Sequence, residues 1–196
     1  MLQSFFVSTS VVALAEIGDK TQLLSLVLAA RYRQPLPIVL GVLLATLANH
    51  ACAGGLGTLL AASLSPTLMN WAIVLSFVLM AGWILVPDHL DEAEIVMPKK
   101  AMGVFGTTLM AFFVAEMGDK TQVVTVALAA QYRDFFSVVA GTTLGMMLAN
   151  VPVIYLGSRF ASQLHPKAVH IAASLIFVVL GGLALRNALL HTPLFG

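Results

Sequence analysis

Charge is what this chain has least of. Only 10% of its 196 residues are Asp, Glu, Lys or Arg, while 59% are hydrophobic and the mean hydropathy is +0.95. Soluble domains carry about a quarter charged residues, so that class is excluded and an integral membrane protein is expected. The formal net charge of +1 leaves no electrostatic footprint for nucleic acid. A single cysteine, Cys52, cannot form an intrachain disulfide and, lying in an apolar stretch, reads as a small core residue. Met1-Leu2-Gln3-Ser4 lacks the basic start of a signal peptide, and the apolar run behind it contains Glu16. That run is therefore expected to stay as a transmembrane helix.

What the chain does have is six apolar runs, at 2–30, 36–62, 68–86, 101–130, 136–156 and 168–190. Each reaches the roughly 20 residues that cross a bilayer. Only helices and closed barrels satisfy the backbone in lipid, and these runs are too long and continuous for barrel strands. The fold expected is an all-α membrane protein of six transmembrane helices.

One stretch of eight residues occurs twice with a single change, Ile17 to Met117. Ala15-Glu16-Ile17-Gly18-Asp19-Lys20-Thr21-Gln22 returns 100 positions later as Ala115-Glu116-Met117-Gly118-Asp119-Lys120-Thr121-Gln122. Between Ala15 and Arg33, twelve of nineteen positions match at that shift. Gly41 and Gly141, Pro66 and Pro166, Phe77-Val78 and Phe177-Val178 continue the pairing, and Asn49 matches Asn150 with a slip of one residue. The expected organisation is a three-helix repeat over 1–86, an acidic cytoplasmic linker over 87–100, and a second three-helix repeat over 101–196. Because three crossings is an odd number, the second repeat must enter from the opposite face, which makes the repeats inverted. Secondary transporters are built this way, with their sites near the midplane.

Orientation follows from lysine and arginine in the short loops. Arg31, Arg33, Lys99, Lys100, Arg159 and Lys167 share one face, against Arg133 and Arg186 on the other. The first face is expected to be cytoplasmic, with both termini outside.

Each motif puts two carboxylates and a lysine at mid-membrane depth, where charges are expensive and usually functional. On one helix, Glu16 and Asp19 would face the same way, and inverted halves would bring Glu16, Asp19, Glu116 and Asp119 around one point. Four oxygen donors suit a hard dication such as Ca²⁺ or Mn²⁺. Gly18 and Gly118 would let the helix loosen and expose carbonyls. Thr21, Thr121, Gln22 and Gln122 offer further oxygens within a turn. Crowded carboxylates also attract protons when no metal is bound, so metal and protons would compete, which is the minimal chemistry of antiport. Lys20 and Lys120, four residues after each glutamate, would form intrahelical ion pairs or serve as tethered counter-cations. Metal would be cargo, with no resident cofactor; the partners are a divalent ion, protons and the lipid bilayer.

Blander readings stand beside these. One Glu–Lys pair alone is as readily a structural ion pair, but two copies in symmetric halves tell against that. Asn49 and Asn150 are either amide ligands or helix glue, with glue favoured. Gly41 with Ala45, and Gly141 with Gly145, read as packing surfaces. His50 reads as a packed or pore-facing histidine, not a ligand, and His89 among Asp88, Asp91 and Glu92 as part of a solvated linker. The methionines form no spaced copper-type box. An intramembrane hydrolase is disfavoured by the lack of a G-x-S-x-G elbow or an H-E-x-x-H pattern. A channel with an acidic ring fits the same residues, but the lysine in each motif and the competition with protons favour an exchanger.

Both motifs fit the signature E-x-G-D-[KR]-[TS], and here the chain resembles the Gdt-type family of Golgi manganese and calcium transporters and bacterial MneA-type manganese exporters. The resemblance covers the whole chain. It implies export of Mn²⁺, with Ca²⁺ as a second candidate, against protons. Glu16, Asp19, Glu116 and Asp119 would be the metal-handling acids, and the minimal length resembles the bacterial members of the inner membrane.

Overall fold

The computed structural model describes residues 1–86, 102–157 and 166–190. The expected linker over 87–100, with its acids, His89, Lys99 and Lys100, lies outside the described residues, as does Arg159. Every regular element described is a helix: α1 (Leu2–Glu16), α2 (Lys20–Tyr32), α3 (Pro35–Ser63), α4 (Pro66–Trp83), α5 (Gly103–Glu116), α6 (Lys120–Tyr132), α7 (Phe135–Leu156) and α8 (Pro166–Leu190).

Four helices are long and apolar enough to cross a membrane: α3, α4, α7 and α8, the last over Val169–Leu190. The first and fourth runs are different from what the sequence suggests. Each was expected as one uninterrupted helix, and each is instead two short ones, α1–α2 and α5–α6, broken inside the repeated motif. Local chemistry also ends the second half of each pair. Arg33 and Arg133 adopt the left-handed conformation (φ 52° and 49°), and their N–H groups donate to Ala29 and Ala129 at 3.0 Å. Pro35 then opens α3 at its first turn, where a missing N–H costs nothing. Asp134 opens α7 by accepting from Ser137 N at 3.2 Å.

The surface is apolar and the interior partly polar, the reverse of a soluble domain. Leu40, Leu44 and Leu59 of α3, Leu75 and Leu79 of α4, and Leu175 and Val179 of α8 are exposed. Thr21, Ser25, Thr46, His50, Thr108, Thr125 and Asn150 are buried. Lipid is the environment that accepts such an exterior, and it accounts for one correction: Cys52 is exposed on α3 and not a core residue.

Two apolar clusters hold the helices. One joins α1, α4, α6, α7 and α8 through Val12, Phe77, Met80, Leu128, Met146 and Phe177. The other joins α2, α3, α5 and α7 through Leu24, Leu28, Ile38, Val42, Phe112 and Ile154. The main contacts are reciprocal: α1 lies on α7 and α5 lies on α3. A Cβ on Gly141 would come 2.5 Å from Phe5 O and 3.0 Å from Ser8 Cβ, while one on Gly41 would come 2.7 Å from Thr108 Cβ and 3.0 Å from Phe105 O. Small residues thus set the helix spacing, as in other membrane bundles. The same shift of 100 relates Phe77 and Phe177, whose ring centroids lie 6.2 Å apart between α4 and α8.

Candidate cation site

The two helix breaks build the site. α1 ends at Glu16; Ile17 is extended, Gly18 turns the chain at φ 85°, and Asp19 is the extended N-cap of α2. The second copy repeats this with Met117 extended, Gly118 at φ 77° and Asp119 capping α6. Glycine suits positions 18 and 118 because the left-handed region costs a residue with a Cβ more than it costs glycine. Asp at the cap suits a helix start, and Asp119 accepts weakly from Thr121 N at 3.4 Å. Glu16 and Asp19 therefore do not share a helical face as expected. They stand on either side of a break, with the carbonyl-rich, negative ends of α1 and α5 beside them.

Glutamine closes each break. Gly18 N donates to Gln22 Oε1 at 3.0 Å, and Gly118 N to Gln122 Oε1 at 2.8 Å. Gln22 Nε2 also donates to Ala149 O at 3.0 Å, tying the first break to α7. Threonine orients each glutamate: Thr21 Oγ1 donates to Glu16 Oε2 at 2.6 Å, and Thr121 Oγ1 to Glu116 Oε2 at 3.2 Å.

Three of the four acids converge. Glu16, Glu116 and Asp119 each offer a carboxylate oxygen, and these atoms lie within 4.8 Å of one another. Oxygens that each sit about 2.4 Å from a common Ca²⁺-sized ion are at most about 4.8 Å apart, so the spacing suits one dication. Glu16 Oε1 and Glu116 Oε1 are buried without a hydrogen-bond partner among the described residues. Asp19 is equally buried but outside this trio, and its Oδ1 lies 3.9 Å from Lys120 Nζ.

The lysines depart from the expected intrahelical pairing, because the break removes the i,i+4 geometry. They pair across the halves: Lys20 Nζ lies 3.5 Å from Asp119 Oδ1, the counterpart of the Lys120–Asp19 contact. Lys120 Nζ also donates to Val86 O at 2.9 Å, beyond the end of α4.

The asparagines are bonded to protein. Asn49 Nδ2 donates to Phe113 O at 3.1 Å. Asn150 Oδ1 accepts from Ser25 Oγ at 2.7 Å, and its Nδ2 donates to Met146 O at 3.1 Å. The Asn49–Phe113 and Ser25–Asn150 contacts join helices, while Asn150–Met146 lies within α7. One residue near the site escaped the sequence reading: His170 Nε2 lies 2.8 Å from Ile17 O, in the first break. A polar residue at the paired positions Asn70 and His170 was the available signal.

Buried acids gathered from two broken helices, inside a helical protein with an apolar exterior, form a place whose chemistry suits a cation. The family profile described as "Divalent cation/proton antiporter GDT1" matches residues 4–92 and again 104–192, and the chain belongs to that family. Its members are transporters and not enzymes, which removes the hydrolase alternative. A Vibrio cholerae protein named "Putative manganese exporter" is 55% identical over 159 residues, covering 81% of this chain and 78% of the relative. A GDT1-like protein of Synechocystis is 28% identical over 90% of this chain and 94% of its own length. GDT1-like protein 3 of Oryza sativa is 27% identical over 91% and 72% respectively. No solved structure matches the chain.

Proposed function

We propose that the chain exports divalent cations, Mn²⁺ before Ca²⁺, in exchange for protons at the junction of the two broken helices. The observation that carries this reading is the trio Glu16, Glu116 and Asp119, with ligand oxygens within 4.8 Å of one another in a buried place. Two like charges at 4.8 Å repel by roughly 3.5 kcal/mol at an effective dielectric of about 20. That exceeds the net worth of a single hydrogen bond, about 1 kcal/mol. The set is therefore neutralised by a dication or by protons, and each displaces the other. Exchange is that competition carried out alternately at the two membrane faces. Asp19 joins as the fourth acid, while Lys20 and Lys120 hold aspartate charge when no ion is present. Thr21, Thr121, Gln22 and Gln122 keep the acids and breaks in place. Asn49 and Asn150 join helices. The metal is cargo, and no resident cofactor takes part.

The two halves, 1–86 and 101–196, act as inverted repeats with three crossings each, α1–α2 and α5–α6 serving as broken spans. Support comes from the reciprocity of Gly41 with Phe105 and Gly141 with Phe5, and of the two lysine–aspartate pairs. Contacts in which i meets j and j's counterpart meets i's are the mark of a two-fold axis. With an odd number of crossings per half, that axis lies in the membrane plane. The basic loops orient both termini outward and the 87–100 linker to the cytoplasm, in a bacterial inner membrane. The name of the Vibrio cholerae relative supports manganese as cargo.

The test is flux in sealed vesicles, comparing Mn²⁺, Ca²⁺ and Mg²⁺ with and without a pH gradient. Mn²⁺ uptake should be driven by an opposed proton gradient and lost in E16Q and D119N, with both variants still folded in the membrane. A large, pH-independent cation current would instead indicate a channel with an acidic ring, and full transport by both variants would sink the site.

A further inference from the structure

The shift of 100 residues duplicates the glycine–glutamine, threonine–glutamate and lysine–aspartate contacts of the site, but not the contacts made by Asn150. At a strict shift of 100, Asn150 falls on His50, one residue past the matching Asn49. Asn150 is fully bonded on its own side, accepting from Ser25 and donating to Met146 O. His50 is 0% exposed, yet neither ring nitrogen has a hydrogen-bond partner among the described residues. Thr125, the counterpart of Ser25, turns its hydroxyl back to Thr121 O at 2.8 Å. One turn before His50 on α3, Thr46 Oγ1 is buried and unpartnered as well. Buried polar atoms are nearly always satisfied, and an exception calls for a cause.

Register places His50 at the depth of the second motif. α3 meets α5 where Asn49 donates to Phe113 O, and meets α6 where a Cβ on Gly57 would come 3.0 Å from Ala129 Cβ. Between those contacts, one side runs through residues 116–121 and the other starts at His50. His50 is not among the three residues whose ligand atoms lie within 4.8 Å of one another, so its ring stands outside the carboxylate trio.

We infer that His50 is a metal-contacting residue of the transport path, an imidazole station beside the carboxylates that favours a transition-metal dication over Ca²⁺ and Mg²⁺. This rests on the transport reading above and adds to it the residue that sets preference. The chemistry is that of donor type. All three ions suit oxygen sets, but Mn²⁺ is a first-row transition metal and accepts an imidazole nitrogen more readily than Ca²⁺ or Mg²⁺. An all-carboxylate site distinguishes Mn²⁺ from Ca²⁺ only by size and geometry, and one nitrogen donor adds a chemical criterion.

The experiment compares wild type, H50N and H50Q in sealed vesicles with Mn²⁺ and Ca²⁺ in competition. H50N copies the residue already present at position 150. The expected result is a fall of about tenfold or more in the Mn²⁺:Ca²⁺ preference, the scale on which even residues behind the ligands alter metal affinity. A second measurement does not depend on the variants folding. Electron spin echo modulation of Mn²⁺ bound to wild-type protein should show nitrogen coupling that changes when histidine is labelled with ¹⁵N. Unchanged preference in H50N and H50Q, with both ions still moved, would overturn this assignment alone, as would Mn²⁺ bound without nitrogen coupling. Wild-type vesicles that move neither ion would overturn the transport reading itself.

Discussion

Lys20 of the first motif and Asp119 of the second form an ion pair across the repeat, Nζ to Oδ1 at 3.5 Å, with 14% and 4% of their side chains exposed. Each motif thus supplies the counter-charge for the other, so neither half has a neutral site by itself. Removing one partner of a buried pair leaves the other unpaired, at a cost of about 3–5 kcal/mol. K20M is expected to lower the melting temperature in metal-free detergent solution. K20M combined with D119N should lose less than the two single variants added together. Strict additivity would mean that the two charges do not interact in the folded protein.

The threonines that follow the lysines divide the work unequally. Thr21 Oγ1 donates to Glu16 at 2.6 Å, and Thr121 Oγ1 to Glu116 at 3.2 Å. A hydrogen bond to a charged group contributes about 1.5–3 kcal/mol, and here it fixes where the carboxylate points. T21V should raise the half-saturating Mn²⁺ concentration about tenfold or more, T121V less, and T21S should restore it. Equal effects from the two valine variants would detach the oxygen spacing from the binding.

Much of this was legible in the sequence because the chain says it twice. The acids of the motif, the six apolar runs and the small residues at helix contacts all follow from composition and the shift of 100. The break itself was only half legible. Gly18 signals that a helix can loosen, yet a lone glycine in an apolar run does not announce a full stop followed by a new N-cap at Asp19. The lysine partners were hidden for the same reason: helical spacing points Lys20 at Glu16, and only the break turns it toward Asp119. Lipid accounts for Cys52, since an apolar stretch in a membrane protein has an apolar outside as well as an inside. His170 at Ile17 O joins residues 153 apart in sequence, and no local pattern encodes such a contact.

Glycines on the long helices separate into two kinds that a single substitution can tell apart. A Cβ at Gly141 would come 2.5 Å from Phe5 O, against backbone that cannot yield without shifting α1. A Cβ at Gly55 would meet nothing within 4 Å. Overpacking a helix contact costs about 1–3 kcal/mol, whereas Gly to Ala in an open helical position gains up to about 1 kcal/mol. G141A is therefore expected to melt earlier than wild type and to lose transport as α1 carries Glu16 out of place. G55A should melt at the same temperature or later. The reverse order would mean that α1 and α7 do not approach as closely as described.

Asp134 fastens the N-terminal end of the same contact and gives it a pH dependence. Its Oδ2 accepts from Ser4 Oγ of α1 at 2.8 Å while its Oδ1 caps α7 through Ser137 N. Partial burial works against the charged form, but the hydrogen bonds from Ser137 and Ser4 outweigh it and hold the carboxyl below its ordinary value of 3.8. A carboxyl whose folded value lies below its unfolded one stabilises the fold above the unfolded value, and that contribution is lost as pH falls through the folded one. D134N should therefore melt earlier than wild type near neutral pH. The gap between the two should narrow only once the pH drops below about 4. A gap that stayed constant into strong acid would assign the stabilisation to shape and not to charge, because asparagine keeps the shape and gives up only the ionised oxygen.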